Sequence, residues 1–364
     1  MDTSSTLNVL RRELDADRPR YARALMSADA RACAIERGIL GLYRWYSAHS
    51  QRRRNWHADT CIDWRTVRRD HSDAVATIVE GFFAVEQFTP DYVGPLLGLI
   101  RESYGRSQWH LYWGSEEVRH ADLWRNALVA IGRRDQRWME EYARELRRQE
   151  WALPWESPRH IVFYQVIQER ATQVSYLNLG LALAGKLPRL QTPQDQALAA
   201  ACRVISVDEA AHYAFFVEVA RLLLYYEPEQ SMEALVDVLR HFTRPARNVI
   251  PNYDEFGRVL HDTGVFGRTI HYRDVVRVVL DTLSAPALKE LEAGVRRARE
   301  IPCTDGARRT AAFLDTLNQP DVERKVSQLF RRSESHLTQS GLDRLFDARW
   351  ERAWAFDHEA EEAA

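Results

Sequence analysis

The chain has 364 residues, 45% of them hydrophobic and 10% aromatic, with a net charge of −2 at neutral pH. That is enough apolar material for one large helical domain, while the balanced charge argues against nucleic-acid binding as the main activity. No apolar run approaches the ~20 residues needed to span a bilayer.

The first twenty residues are polar and lack the apolar core of a secretion signal. Four widely spaced cysteines, Cys33, Cys61, Cys202 and Cys303, form no C-x-x-C pair and read as the reduced thiols of a cytoplasmic protein. Helical periodicity dominates and strand alternation is absent, so the expected fold class is all-α. A first helix is expected over Ser27–Ser50, with Ile35, Ile39, Leu42 and Trp45 on one face. An irregular polar stretch, Gln51–Asp70, follows. The next helix is expected over Asp73–Glu86, with Pro90 as a break. Others are expected over Leu96–Tyr104 and over Ser107–Ile131, the latter ended by Gly132. Glu140–Glu150 reads as a solvated helix, and two prolines precede a long helix over His160–Leu183. A turn, Gly185–Pro193, leads into Pro193–Tyr226. Shorter helices are expected at Ser231–Thr243, Tyr253–Thr263, Tyr272–Thr282 and Pro286–Arg299. Residues 1–300 would form the main domain and 301–364 a helical appendage with a frayed end at Glu359–Ala364.

Four of these helices carry glutamates in a telling order. Glu117–His120 and Glu209–His212 are Glu-x-x-His pairs, which place both side chains on one helical face. They alternate along the chain with two further glutamates, Glu86 and Glu169. A chain of this composition holds about one such pair by accident, so the surroundings carry the weight. Glu86 lies in an apolar stripe with Phe82, Val93 and Leu97, and Glu117 is flanked by Trp113 and Trp124. Glu169 follows Val162 and Val166, and Glu209 lies between Ile205 and Phe216. Each acid is on the side expected to face the core, where an unpaired carboxylate is very costly. Two Glu-x-x-His pairs plus one glutamate from each of two other helices is the ligand set of di-iron or di-manganese carboxylate bundles.

The segment Trp113-Gly114-Ser115-Glu116-Glu117-Val118-Arg119-His120-Ala121-Asp122-Leu123 resembles the W-x-x-E-E-x-R-H-x-D-L of soluble acyl-carrier-protein desaturases, plant stearoyl desaturase and its actinobacterial relatives. Gln168-Glu169-Arg170-Ala171-Thr172 is similar to that family's Q-E-R-A-T, and Asp208-Glu209-Ala210-Ala211-His212 to its D-E-x-x-H. Glu86, Pro90 and Tyr92 match its E-x-x-x-P-x-Y, Asn55-Trp56 resembles an N-W segment, and Ile250-Pro251 and Gly264-Val265-Phe266 match a later one. The likeness runs in order over roughly Gln51–Leu283.

The resemblance implies a ferritin-like four-helix bundle with flanking helices. It implies one iron held by Glu86, Glu117 and His120 and another by Glu169, Glu209 and His212, with Glu117 and Glu209 bridging. Thr172 matches a hydroxyl residue near the oxygen-binding face. Asp208 is the expected acceptor that orients a ligating histidine. The implied reaction is O2-dependent insertion of a cis double bond into an acyl chain on acyl carrier protein, by a homodimer fed by a ferredoxin-type donor. No flavin or nicotinamide fingerprint is present to supply electrons internally. Trp56 is a candidate for the electron route, and Arg52-Arg53-Arg54 for carrier docking. The chain departs from the family pattern at Ala210 and Ala211, where a basic pair is usual, at Gln173, where an aromatic is usual, and beyond about Glu300. These departures keep hydroxylation or N-oxygenation of a carrier-bound intermediate open as an alternative. The length and the flanking motifs argue against a simple iron-storage protein.

Overall fold

A computed structural model describes residues 27–296, 300–302, 308–310 and 316–342. Cys303 and the tail at Glu359–Ala364 lie outside the described residues. The architecture is all-α: α1 Ala28–Arg53, α2 Asp73–Glu86, α3 Thr89–Leu99, α4 Tyr104–Ala130, α5 Gln136–Leu146, α6 Pro158–Leu183, α7 Gln196–Tyr226, α8 Pro228–His241 and α9 Tyr253–Asp262. Then come α10 Arg268–Ile270, a π-helical stretch His271–Val276, α11 Arg277–Thr282, α12 Leu288–Arg296 and α13 Gln319–Gln339. Among the described residues the only strands are β1 Glu300–Pro302 and β2 Arg308–Thr310, an antiparallel pair. No described helix is long and apolar enough to cross a membrane.

Packing divides the chain into two compact units. The first comprises the described parts of Met1–Trp45, Val217–Arg240 and Leu280–Ala364. It is a conventional helical core. Val322, Val326, Leu329, Phe330 and Leu337 line one buried face of α13, and Gly38 on α1 makes room for Leu222, to which a Cβ would come within 2.7 Å. Arg37 pairs with Glu334 at 3.0 Å, and Arg332 lies 4.3 Å over the Trp45 ring. The described part of the expected 301–364 appendage, α13 included, belongs to this unit together with residues from the start of α1.

The second unit, Tyr46–Phe216 with His241–Val279, contains α2, α4, α6 and most of α7, the four helices that bear the motif residues. Large aromatics fill its interior: Trp109, Trp113, Trp124, Tyr164 and Tyr176 are all fully buried. The Trp109 and Phe215 rings stack at 3.7 Å, an arrangement worth about 0.5–1.5 kcal/mol beyond area burial. Close approach of α9 to α2 depends on Gly81, where a Cβ would collide with the Phe256 ring. The starts of α2 and α7 are tied by a buried pair, His71 Nε2 to Asp195 Oδ2 at 3.0 Å. Asp195 also caps α7 by accepting from the Leu198 N–H at 2.8 Å.

Several boundaries differ from the sequence expectation. The helix expected over Leu96–Tyr104 instead begins at Thr89 and ends at Leu99, with a turn before α4 starts at Tyr104. Pro90 sits in the first turn of α3, where its missing N–H costs nothing, and the helix continues through Pro95 to Leu99. The helix expected at Glu140–Glu150 starts earlier because Asp135 caps it, accepting from Trp138 N–H at 2.8 Å, and it buries Met139 and Leu146.

Candidate metal centre

The six motif residues converge inside the second unit. Glu86, Glu117, Glu169, Glu209, His120 and His212 are each at most 4% exposed. They form two sets: Glu86, Glu117, His120 and Glu209 in one, and Glu117, Glu169, Glu209 and His212 in the other. Within each set the ligand-type atoms lie within 4.8 Å of one another. Glu117 and Glu209 belong to both sets, so each can use one oxygen toward either position. The helices explain the convergence, since each Glu-x-x-His pair projects from one face and α2 and α6 add one glutamate apiece.

The two imidazoles are oriented alike. His120 Nδ1 faces Glu117 Oε2 at 3.2 Å and Glu209 Oε1 at 3.3 Å. His212 Nδ1 faces Glu117 Oε1 at 3.0 Å and Glu169 Oε2 at 3.5 Å. The outward nitrogens meet acids from the opposite helix. His120 Nε2 lies 3.4 Å from Asp208 Oδ2, and His212 Nε2 lies 3.0 Å from Glu116 Oε2. With Nε2–H donated to these acceptors, Nδ1 of both rings, pointing into the cluster, would offer its lone pair once a bound cation displaces any proton there.

Asp208 therefore lies against the histidine of the other motif, one helix away. Glu116, which the sequence reading passed over, does the same for His212. The signal was present: an acid immediately precedes each Glu-x-x-His pair. Arg54 bridges the two acids, at 2.9 Å from Asp208 Oδ1 and 3.4 Å from Glu116 Oε1. Arg119 lies at 3.3 Å from Asp208 and 3.4 Å from Glu116. Tyr46 donates to Glu116 Oε2 at 2.8 Å, Ser50 donates to Glu116 Oε1, and Trp56 Nε1–H donates to Asp208 Oδ2 at 2.9 Å. One member of the arginine run read as docking surface is thus turned inward, leaving Arg52 and Arg53 exposed.

Electrostatics separate the two sides of the histidines. Burial raises Glu116, but the His212 hydrogen bond and charge, with Arg54, overcome it and hold the carboxyl at about 2. Glu86 is pushed up to about 8, first by burial and then by the Glu117 charge. Burial likewise drives Glu169 well above the usual range, reinforced by Glu209 and Glu117. Burial also favours the neutral form of Glu209, yet both histidines hold it below its ordinary value. Despite burial, the surrounding acids raise His120 and His212.

The donor set fits a pair of cations. Four buried carboxylates face two imidazoles, and no described lysine or arginine reaches any of the four. Three buried atoms of the cluster, Glu117 Oε1, Glu209 Oε1 and His212 Nδ1, approach other cluster atoms at 3.0–3.3 Å but without hydrogen-bond geometry. Orphaned atoms of that kind cost free energy unless a ligand satisfies them. Mixed carboxylate and imidazole donors suit a transition-metal ion.

A small cavity of about 40 Å³ adjoins the cluster, lined by Glu86, Glu117, Glu169 and Glu209 together with Tyr92, Trp113, Gln168 and Thr172. Thr172 Oγ1 donates to the Gln168 carbonyl and accepts from Gln168 Nε2, both at 2.9 Å. It stands one turn beyond Glu169 on the wall of that cavity.

A bundle carrying this paired-motif cluster defines the class of ferritin-like carboxylate proteins. Within that class, a sequence profile of the fatty acid desaturase family matches residues 96–331, more than half of the chain, and the chain belongs to that family. Among similar proteins is acyl-[acyl-carrier-protein] desaturase 6, chloroplastic, of Oryza sativa subsp. japonica, 28% identical over 264 residues. The alignment covers 68% of this chain and 61% of the rice protein. Stearoyl-[acyl-carrier-protein] 9-desaturase 6, chloroplastic, of Arabidopsis thaliana is 27% identical, with 64% of this chain and 61% of that protein covered. This chain therefore spans about three fifths of the length of these relatives. In fold it is similar to the X-ray structure of DesA2 of Mycobacterium tuberculosis H37Rv, assigned as an acyl-ACP desaturase. The TM-score is 0.50 at 18% identity, covering 71% of this chain and 99% of that one.

Proposed function

We propose that the protein is an O2-dependent di-iron desaturase that introduces a cis double bond into an acyl chain carried on acyl carrier protein. The observation that carries this reading is the buried six-residue cluster on the four motif helices of a chain in the desaturase family. Glu86, Glu117 and His120 would hold one iron and Glu169, Glu209 and His212 the other, with Glu117 and Glu209 shared. A reduced iron pair supplies the activation of O2 needed to remove hydrogen from an unactivated C–H bond.

The chain's own residues prepare that site. Asp208 and Glu116 fix the imidazole tautomers, and the bundle aromatics exclude water. Thr172 holds a proton at Oγ1 on the cavity wall and can exchange its Gln168 partner for a species in the cavity. Electrons must come from outside. Trp56, half-buried, stacks on His120 with rings 6.2 Å apart and 4° from parallel, and the Arg119 guanidinium lies 4.8 Å from the centre of the Trp56 ring. Exposed Arg52 and Arg53, the outward members of the arginine run, suit docking of an acidic acyl carrier protein, and a ferredoxin-type donor would supply the electrons. We place the second copy of a homodimer on α4. Its exposed Tyr104, Leu111 and Val118 recur every seven residues, and the last two line a groove of about 740 Å³ with Val93 and Met139. We infer a cytoplasmic location from the free thiols Cys33, Cys61 and Cys202.

Gln165, Gln168 and Thr172 give the cavity polar walls. That polarity supports the second reading, hydroxylation or N-oxygenation of a carrier-bound intermediate. One experiment separates the two. The iron-loaded protein is reduced without oxygen, then exposed to O2 with a panel of acylated carrier proteins, and products are weighed by mass spectrometry. Loss of two hydrogens supports desaturation, gain of one oxygen atom supports the alternative, and unaltered substrates across the panel contradict both.

A further inference from the structure

We propose that Tyr176 is a redox-active side chain that surrenders one electron and one proton when the metal centre is oxidised. The proposal rests on the reading of the cluster as a metal pair. Tyr176 lies on α6 two turns beyond Glu169 and is fully buried. Its hydroxyl donates a hydrogen bond to Glu86 Oε1, a carboxylate of the cluster.

The other tyrosines around the centre are spent elsewhere. Tyr92 pairs its hydroxyl with Thr89 Oγ1 at 3.1 Å. Tyr164 donates to the Thr243 carbonyl at 3.1 Å. Tyr46 donates to Glu116, which stands outside both ligand sets. Tyr176 alone of these four joins its phenol directly to a cluster carboxylate.

Two features suit that phenol to one-electron chemistry. Once a bound cation displaces the proton from Glu86, the O–H bond is aimed at a carboxylate that can take its proton, so charge need not build up in a buried site as the electron leaves. The ring is enclosed by other aromatics, edge-on to Phe82 at 4.8 Å and tilted against Trp124 at 5.1 Å. Neither wall carries a hydroxyl or thiol that would quench a neutral phenoxyl radical.

The step balances as follows. Dioxygen is the oxidant: its reduction to two waters takes four electrons, two that the ferrous pair would supply, one from Tyr176 and one from the external donor, with four protons from solvent. The Tyr176 Oη–H bond breaks, its electron going to that reduction and its proton to Glu86 Oε1, leaving a neutral phenoxyl radical. An electron from the external one-electron donor, with return of the proton from Glu86, restores the tyrosine. When no substrate C–H bond occupies the cavity, this exchange drains an oxidising equivalent that would otherwise attack the surrounding tryptophans.

The full chain is loaded with ferrous ion without oxygen, its metal content is measured, and it is mixed with O2 and freeze-quenched for electron paramagnetic resonance. Wild-type protein gives a tyrosyl-radical signal whose hyperfine splitting collapses with ring-deuterated tyrosine. Y176F loads the same iron and loses the signal, whereas Y92F and Y164F keep it. A ring-fluorinated tyrosine at 176 retains the hydroxyl and adds fluorine splitting, which guards against a Y176F protein that folds or loads poorly. Protein that loads iron and consumes O2 without a tyrosyl signal overturns the proposal alone. So does a signal that survives in Y176F or is unsplit by fluorine at 176. Protein that loads no iron overturns the metal reading and the proposal with it.

Discussion

On the outer side of the two ligating-type histidines, the buried acids Glu116 and Asp208 are matched by two arginines, Arg54 and Arg119, and by hydrogen bonds from Tyr46, Ser50 and Trp56. On the inner side, a few ångströms away, four buried acids share two imidazoles, and three of the cluster's polar atoms approach others without hydrogen-bond geometry. The same helices build both layers. Where the chain must bury acids for good, it supplies permanent cations. Where it leaves them short of positive charge, the fold is completed by something it binds. The difference locates the function more sharply than burial alone, since the acids of both layers are equally buried.

The comparison can be broken from either side. The largest effect is expected from Glu117→Ala, because Glu117 belongs to both ligand sets. It should reduce metal loading from two ions per chain to none while leaving far-ultraviolet circular dichroism nearly unchanged. Retention of two ions would remove Glu117 from the site.

Arg54→Ala attacks the outer layer. It leaves two buried acids with only Arg119, and denaturant unfolding should report a loss of about 3–5 kcal/mol, the cost of breaking a buried pair from one side. Arg52→Ala, on the exposed neighbour, should leave the unfolding midpoint where it is. Equal effects at the two positions would mean that Arg54 is no more buried in solution than Arg52.

Glu116→Gln and Asp208→Asn sharpen the boundary between the layers. Each weakens an acceptor behind a histidine without touching the inner cluster, so metal affinity should fall about 10–100-fold, with two ions still bound at saturation. A titration showing unchanged affinity would demote both acids to structural roles.

The smallest effect is the pH dependence. Glu86 is held up to about 8 by burial and by Glu117, so below that pH a proton competes with the metal. Affinity should fall as pH drops below about 8, and binding should release protons measurable in weakly buffered solution. For the metal-free fold the sign is reversed. Between about 4.5 and 8 the folded chain holds a proton at Glu86 that the unfolded chain lacks, so the Glu86 contribution to stability declines as pH rises through that window.

Much of this was readable before any coordinates. Helical spacing placed His120 beside Glu117 and His212 beside Glu209, and the apolar neighbours of Glu86 and Glu169 showed which way those acids faced. The outer layer was less legible because its partners come from distant segments. Arg54 lies in a run of three arginines, where sequence offers no way to tell the inward member from its solvated neighbours; its contacts with Glu116 and Asp208, 62 and 154 residues on, distinguish it. Asp208 was recognisable as an acceptor, but its partner proved to be His120 on the opposite helix, since crossing of α4 and α7 sets that pairing. Helix ends failed where a cap or a tolerated proline overrode periodicity, as at Asp135 and Pro95.

The central claim is that the inner layer is completed by two cations. Anaerobic equilibrium titration of the metal-free wild-type chain with ferrous ion, read by elemental analysis, tests it most directly. Two ions per chain, with proton release, is the predicted result. A folded chain that binds no ion at saturating iron would contradict the account.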